Sequence, residues 1–189
     1  MNNVRSNIFG IDVTIQRVQE DLYSYLSNDW SGIINAYGRV YKNIDHDANQ
    51  GLVISREYIP EWYSGSVKDY EDVFYDDDGS ATICFIVSDD DSTEDSIVYN
   101  TQVKVVFMVD LKKIFNTEVD RNDAQAHADA VEALRNIATA QYSITGITKG
   151  IDNVFNGFDV SKIGFNDLQP LHCFSVNLNL QYYLTDKCL

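Results

Sequence analysis

The stretch Ile97-Val-Tyr-Asn-Thr-Gln-Val-Lys-Val-Val-Phe-Met-Val-Asp110 decides the fold class of this 189-residue chain. Tyr99, Val103, Val105, Phe107 and Val109 fall on its odd positions. The even positions begin polar, with Asn100, Gln102 and Lys104, and turn apolar at Val106 and Met108. Successive side chains of a strand point to opposite faces, so the pattern predicts a long strand, half-buried at first and buried on both faces later. Just upstream lies a second apolar run, Ala81 to Val87 (ATICFIV), and the polar segment Ser88 to Asp95 separates the two. Two apolar strands around a polar turn predict a hairpin, expected at the centre of a sheet. Its inner end, Val105 to Val109, is the expected platform for a helix. Its outer end, beside Asp89–Asp95, is an expected projecting charged tip.

Upstream of the hairpin, residues 1–10 are polar and read as a short arm. Asp12 is the expected N-cap of a helix running to about Leu26. Ile15, Val18, Leu22 and Tyr25/Leu26 form its apolar stripe, and Gln16, Arg17, Gln19, Glu20 and Asp21 its wet side. Trp30 is expected to fold back onto the stripe. Asn35 to Ile44 reads as a strand, with Tyr37, Arg39, Tyr41 and Asn43 alternating against Ala36, Val40 and Ile44 and a bulge at Gly38. The polar Asp45–Gln50 precedes a short strand predicted at Leu52–Arg56. Tyr58-Ile-Pro-Glu-Trp-Tyr63 reads as a loop or an edge, because Pro60 cannot donate to a ladder. Val67–Tyr75 is one more predicted strand, closed by the Asp76–Gly79 turn.

Downstream, Asp123 to Gln141 runs without Gly or Pro and is rich in Ala, which predicts a helix capped by Asn122 or Asp120. Its expected buried side is Ala124, His127/Ala128, Val131, Leu134/Arg135 and Ala138. Gly150 and Gly157 bound a short helical turn at Ile151, Val154 and Phe155. Asp159 to Pro170 reads as a loop or broken helix. Leu171 to Leu184 alternates: His172, Phe174, Val176, Leu178, Leu180, Tyr182 and Leu184 face one way, the intervening residues the other. No repeat or linker divides the chain, so residues 1–189 read as one α+β domain with a mainly antiparallel sheet.

The composition limits function. The net charge of −15 argues against a nucleic-acid or anionic-membrane surface. Asp69, Glu71, Asp72, Asp76, Asp77, Asp78, Asp89, Asp90, Asp91, Glu94 and Asp95 fall in one stretch with no Lys or Arg. Cys84, Cys173 and Cys188 are an odd number without metal spacing. Cys84 reads as a small buried hydrophobe, and a reducing compartment fits better than a disulfide framework. The N-terminus MNNVRSNIFG lacks the apolar core of a signal peptide, and no run approaches the ~18 apolar residues of a membrane helix.

Motifs for chemistry are sparse. Asp76–Ser80 and Asp89–Asp95 are oxygen-rich enough to suggest Ca²⁺, but neither has the spacing of an EF-hand loop, and solvated turns explain both. His46, His127 and His172 fall in a loop, a helix and a strand, without ligand spacing. Cys173 and His172 are adjacent on a strand and therefore point to opposite faces, which excludes them as a catalytic pair. No phosphate loop, nucleophile elbow or zincin motif is present. The expectation is a protein without enzymatic activity, cofactor or resident metal.

Phe9-Gly-Ile-Asp-Val-Thr-Ile-Gln-Arg-Val-Gln-Glu-Asp-Leu-Tyr-Ser-Tyr-Leu26, followed by Trp30 and Tyr37-Gly-Arg-Val-Tyr-Lys-Asn43, resembles the start of small neck or tail ring proteins of tailed bacteriophages, crAss-like phages in particular. The order of elements resembles tail-terminator and head–tail connector folds. That resemblance implies a virion structural protein assembled in the host cytoplasm. It implies a six- or twelve-fold homo-oligomeric ring that contacts neighbouring neck, portal or tail proteins while DNA passes without specific binding. It carries over no site residue. From the residues themselves, Tyr58, Trp62 and Tyr63 are candidate aromatic anchors between subunits. Asp89, Asp90, Asp91, Glu94 and Asp95 are candidate contacts toward a neighbour or the lumen, where acid repels phosphate. Residues 1–10 are a second candidate reach. The rival expectation is an acidic monomeric module that mimics nucleic acid, using Asp69–Asp95 against a basic partner; a Ca²⁺-binding or hydrolytic enzyme is a further one.

Overall fold

A seven-stranded sheet organises the chain, seen in a computed structural model that describes residues 1–43, 58–65, 70–117 and 121–184. In chain order the elements are α1 (Ile11–Asp29), β1 (Ile34–Asn43), β2 (Ile59–Tyr63), β3 (Tyr70–Asp72), β4 (Ala81–Thr93), β5 (Val98–Asp110), α2 (Leu111–Phe115), α3 (Asp123–Asn136), β6 (Tyr142–Lys149), α4 (Ile151–Val154) and β7 (Leu171–Tyr183). Strand order across the sheet is β3-β2-β1-β4-β5-β7-β6. All named pairings are antiparallel except that of β1 with β4, so the fold is α+β. The strand expected at Leu52–Arg56, together with His46, Asp69, Asp120 and Cys188, lies outside the described residues.

The β4–β5 hairpin holds the centre, as its apolar runs require, but its turn is shorter than expected. Val87 faces Val103 and Asp91 faces Thr101, so four steps along β4 match two along β5. That bulge absorbs Ser88–Asp90, and pairing then resumes through Thr93↔Tyr99. The acids Asp89, Asp90 and Asp91 therefore belong to a strand and not to the turn. They tolerate this position because their side chains stay in water. The tip does not project alone, since β7 runs beside β5 as far as Val98↔Tyr183.

The two faces of the sheet are covered by different material. On one, Ile83, Phe85, Val105, Phe107, Val109, Phe174 and Val176 pack with Ile15, Val18, Leu22 and Leu26 of α1 and with Ala126, Ala130 and Ala133 of α3. On the other, Tyr37, Val40, Trp62, Cys84, Val106, Met108 and Cys173 pack beneath Val154, Phe155, Phe158, Ile163 and Phe165. Each fully buried large side chain contributes about 1.5–3 kcal/mol. Trp30 meets Phe107 edge-on, with centroids 6.1 Å apart, and its indole donates to Asp129 at 3.0 Å. It folds back as expected and also ties α3 to the end of α1.

Several local expectations change. Gly10, at φ 57°, caps α1 without a side chain, a backbone conformation suited to glycine. Asp12 instead accepts from the Tyr41 hydroxyl at 2.8 Å, between Arg5 and Arg39. The bulge at Gly38 is present: Ala36 faces Ile83 and Arg39 faces Phe85. It breaks the simple alternation, moving Val40 to the core of Tyr37 and away from that of Ala36. Tyr58–Tyr63 is neither loop nor edge, because β2 sits between β1 and β3, and Pro60 uses its carbonyl to accept from Val73 at 2.7 Å. In α3 the buried stripe is Ala126, His127, Ala130, Ala133 and Leu134, while Ala124, Ala128 and Ala138 are exposed. The helix ends at Asn136, not Gln141, and Tyr142–Lys149 forms an unexpected strand.

Residues 1–3 are not free. The Asn3 amide donates to the Ala36 carbonyl, and the Ala36 amide to that of Met1. Gln19, expected on the wet side of α1, is 1% exposed and holds this arm. Its amide donates to Asn2 Oδ1 at 2.7 Å, Asn3 O at 3.0 Å and Ala36 O at 3.2 Å. Gln19→Leu keeps the volume and removes this donor from Asn2 Oδ1 and Asn3 O, while Ala36 O keeps the Asn3 amide. We expect a stability loss of about 1–3 kcal/mol and faster tryptic cleavage after Arg5. Unchanged cleavage would show that the amide does not hold the arm.

Candidate interaction surface

The hairpin end is acidic and internally braced. Asp95 accepts from the Ile97 amide at 2.8 Å and the Val98 amide at 2.9 Å, and these bonds hold its carboxyl below the ordinary value. Thr93 accepts from the Ser96 amide at 2.9 Å. Asp89 pairs with Lys42, and Asp91 accepts from the Tyr182 hydroxyl at 2.8 Å. Asp90 and Glu94 are exposed. The end is thus a stiff presentation of carboxylates rather than a loose loop.

The other acids of the same stretch lie elsewhere. Asp76–Asp78 sit in the turn before β4, where Asp76 accepts from Asn35 and Lys113 donates to the carbonyls of Asp77 and Gly79. Eight strand residues, Ala81–Ser88, separate the two groups, a span of roughly 26 Å at the usual rise. Among the described residues, no three His, Cys, Asp or Glu side chains converge as a metal site.

The expected aromatic anchors part company. Trp62 is 0% exposed and stacks on Tyr37, with centroids 3.8 Å apart and planes at 3°. It belongs to the chain's own core and is withdrawn from any subunit contact, contrary to expectation. Tyr58 and Tyr63 are half-buried. Lys42 lies over the Tyr58 ring, and Tyr63 meets Tyr70 edge-on.

The fold also gathers two of the three histidines. Nε2 of His127 and Nε2 of His172 lie 2.9 Å apart, with ring centroids at 5.1 Å, so the two nitrogens face each other between the rings. His172 Nδ1 is 3.6 Å from Asp167, an electrostatic contact rather than a hydrogen bond. The carboxylate favours the proton on His172 Nδ1, which leaves its Nε2 lone pair to accept from His127 Nε2–H. Burial opposes ionisation of Asp167, but His172 and the amides of Cys173 and Ile151 outweigh it and hold its carboxyl below the ordinary value. Burial, then His172 and Lys149, push His127 down to about 4 against the pull of Asp123. Head-on nitrogens share one proton well and offer no common point to a cation. Cys173 lies on the opposite face, buried, its thiol pushed up by that burial. Cys84 is buried likewise.

Beyond the α4 layer the second face of the sheet is open and polar. Gln102 faces Asn179 and Asn100 faces Gln181 across β5 and β7. Ser143 and Thr145 extend this hydroxyl and amide field onto β6. Lys104 lies beside it, and its ammonium donates to the carbonyls of Asn153 and Val154, at 3.0 and 2.9 Å.

Sequence reasoning overlooked β6, whose Tyr142 and Ile144 signalled a strand before the bulge at Thr145 shifted the phase. It overlooked the histidine pair because a helix and a strand 45 residues apart supply it. No helix among the described residues is long and apolar enough to cross a membrane. No protein-family model matches the chain, and no curated protein matches it.

Proposed function

We propose that this chain is a virion structural protein that assembles into a ring in a bacteriophage neck or tail, joining head and tail around the DNA channel without enzymatic activity. The observation that carries the reading is how charge is divided over the sheet. Carboxylates concentrate at the two strand ends, Asp76–Asp78 and Asp89–Asp95, while the long edge strand β6 carries none. Copies that meet sideways would keep the acidic ends apart from the contact and turn them toward the lumen or the neighbouring neck, portal or tail proteins. Acid facing the lumen repels DNA phosphates and lets the duplex pass unbound. The resemblance of Phe9–Asn43 supports the same reading. A nucleic-acid mimic would place its acids along one face; a division of roughly 26 Å to the two ends of the Ala81–Ser88 run speaks against it.

Native mass spectrometry and negative-stain imaging of the full chain test the proposal. We expect discrete rings of six or twelve copies. A strict monomer at every concentration reached would sink it, and so would tight, stoichiometric binding of a basic protein that is abolished by neutralising Asp89, Asp90 and Asp91 together.

A further inference from the structure

The outermost strands β6 and β3 each pair on one side only among the described residues. An unpaired side exposes a row of backbone donors and acceptors, which stable proteins usually blunt with charge, proline or a bulge. Strand β6 is eight residues long, contains no proline and no acid, and alternates between half-buried and exposed positions. Only the bulge at Thr145 and Lys149 at its end interrupt it. In a chain of net charge −15, a strand edge without an acid offers another copy little repulsion. Strand β3 has the opposite sign, with Glu71 and Asp72 in its three residues.

We propose that β6 adds the β3 edge of a second copy, so that one sheet continues from subunit to subunit, with Lys149 beside the neighbour's Asp72. The sidedness agrees. Lys149 faces Phe174, whose side chain lies in the core beneath α1 and α3. Glu71 faces Trp62 of the other core, and the next residue, Asp72, therefore lies on the helix-covered side. In a continued sheet, the ammonium and the carboxylate share that side. Unlike edges make the contact heterologous, the type that closes a ring. The inference rests on the ring reading and names the surface that would build it.

Sedimentation velocity on the full chain reads the outcome. Ile147 is 39% exposed on β6. We expect Ile147→Asp and Lys149→Glu each to raise the concentration needed for assembly by roughly tenfold or more, because each sets like charges together at the contact. Lys149→Glu combined with Asp72→Lys recovers most of that loss, whereas Lys149→Glu combined with Asp95→Lys does not. Unchanged circular dichroism shows that the variants fold. If the wild type assembles and both single variants assemble equally well, the edge contact is wrong and the ring reading stands. If the wild type never assembles, both fall.

Discussion

Trp62→Ala should lower the unfolding free energy by about 3–5 kcal/mol, the largest effect expected of any single substitution here. The side chain is 0% exposed, stacked on Tyr37 and met edge-on by Phe74 at 5.7 Å. Truncation removes a large ring from between two aromatic neighbours that cannot close over the gap. Trp62→Phe supplies the control. It keeps an aromatic ring against Tyr37 and deletes an indole N–H that is buried without a partner among the described residues. A buried donor left unpaired is itself costly, so this variant should lose only about 1 kcal/mol. Urea unfolding followed by circular dichroism at low protein concentration separates the roles. A Trp62→Ala chain as stable as the wild type would return Trp62 to the list of subunit contacts.

That residue shows where a sequence is legible and where it is not. Aromatic side chains beside a proline read alike whether they cover a core or offer a surface, because residue type is the only signal. What withdraws Trp62 is the position of β2 inside the sheet, and that depends on β3 pairing with it from outside. The hairpin and β7 were legible because period-two alternation persists over many residues. Strand β6 was not: its alternation is broken by the bulge at Thr145, and the preceding Ala-rich run hides its start. The same limit applies to α1. Ile15, Val18, Leu22 and Leu26 announced the buried stripe, yet Gln19 is buried beside them to satisfy carbonyls of a segment that arrives from Met1–Asn3. A polar residue placed by a distant backbone leaves no local pattern.

The acidic stretch teaches a related point about the candidate surface. In sequence, Asp69 to Asp95 is one block of charge. Folding threads the apolar Ala81–Val87 through its middle, so that Asp76–Asp78 and Asp89–Asp95 fall at the two ends of that run, while Glu71 and Asp72 go to the edge strand β3. Charge counted along a chain therefore gives the amount of repulsion and not its direction. The direction bears on function here, since it leaves β6 as a broad approach free of acid.

Acid should weaken the fold through His127, and the amount is the second large effect. His127 is 8% exposed, and its pKa is pushed down to about 4 from an ordinary 6.5. The groups that face it are His172 across the shared proton, Asp123 on its own helix, and Lys149 on β6; Asp167 acts through His172. A depressed histidine binds its proton more readily in the unfolded chain. Its contribution is therefore fully present above pH 6.5 and is lost as pH falls toward 4. The added proton goes to His127 Nδ1, because Nε2 already carries the shared one, and it sets a charge in a buried site near Lys149. The loss should approach about 3 kcal/mol by the lower end of the window. His127→Phe can keep the edge-on contact with Phe174, at 4.5 Å, and cannot titrate. Subtracting its stability profile from that of the wild type cancels His46 and most of the carboxylates, which are common to both chains. The difference should slope through the window between pH 4 and 6.5 and be flat above it. A flat difference throughout would mean that His127 accepts its proton as easily folded as unfolded, and its buried site would then be no barrier to acid.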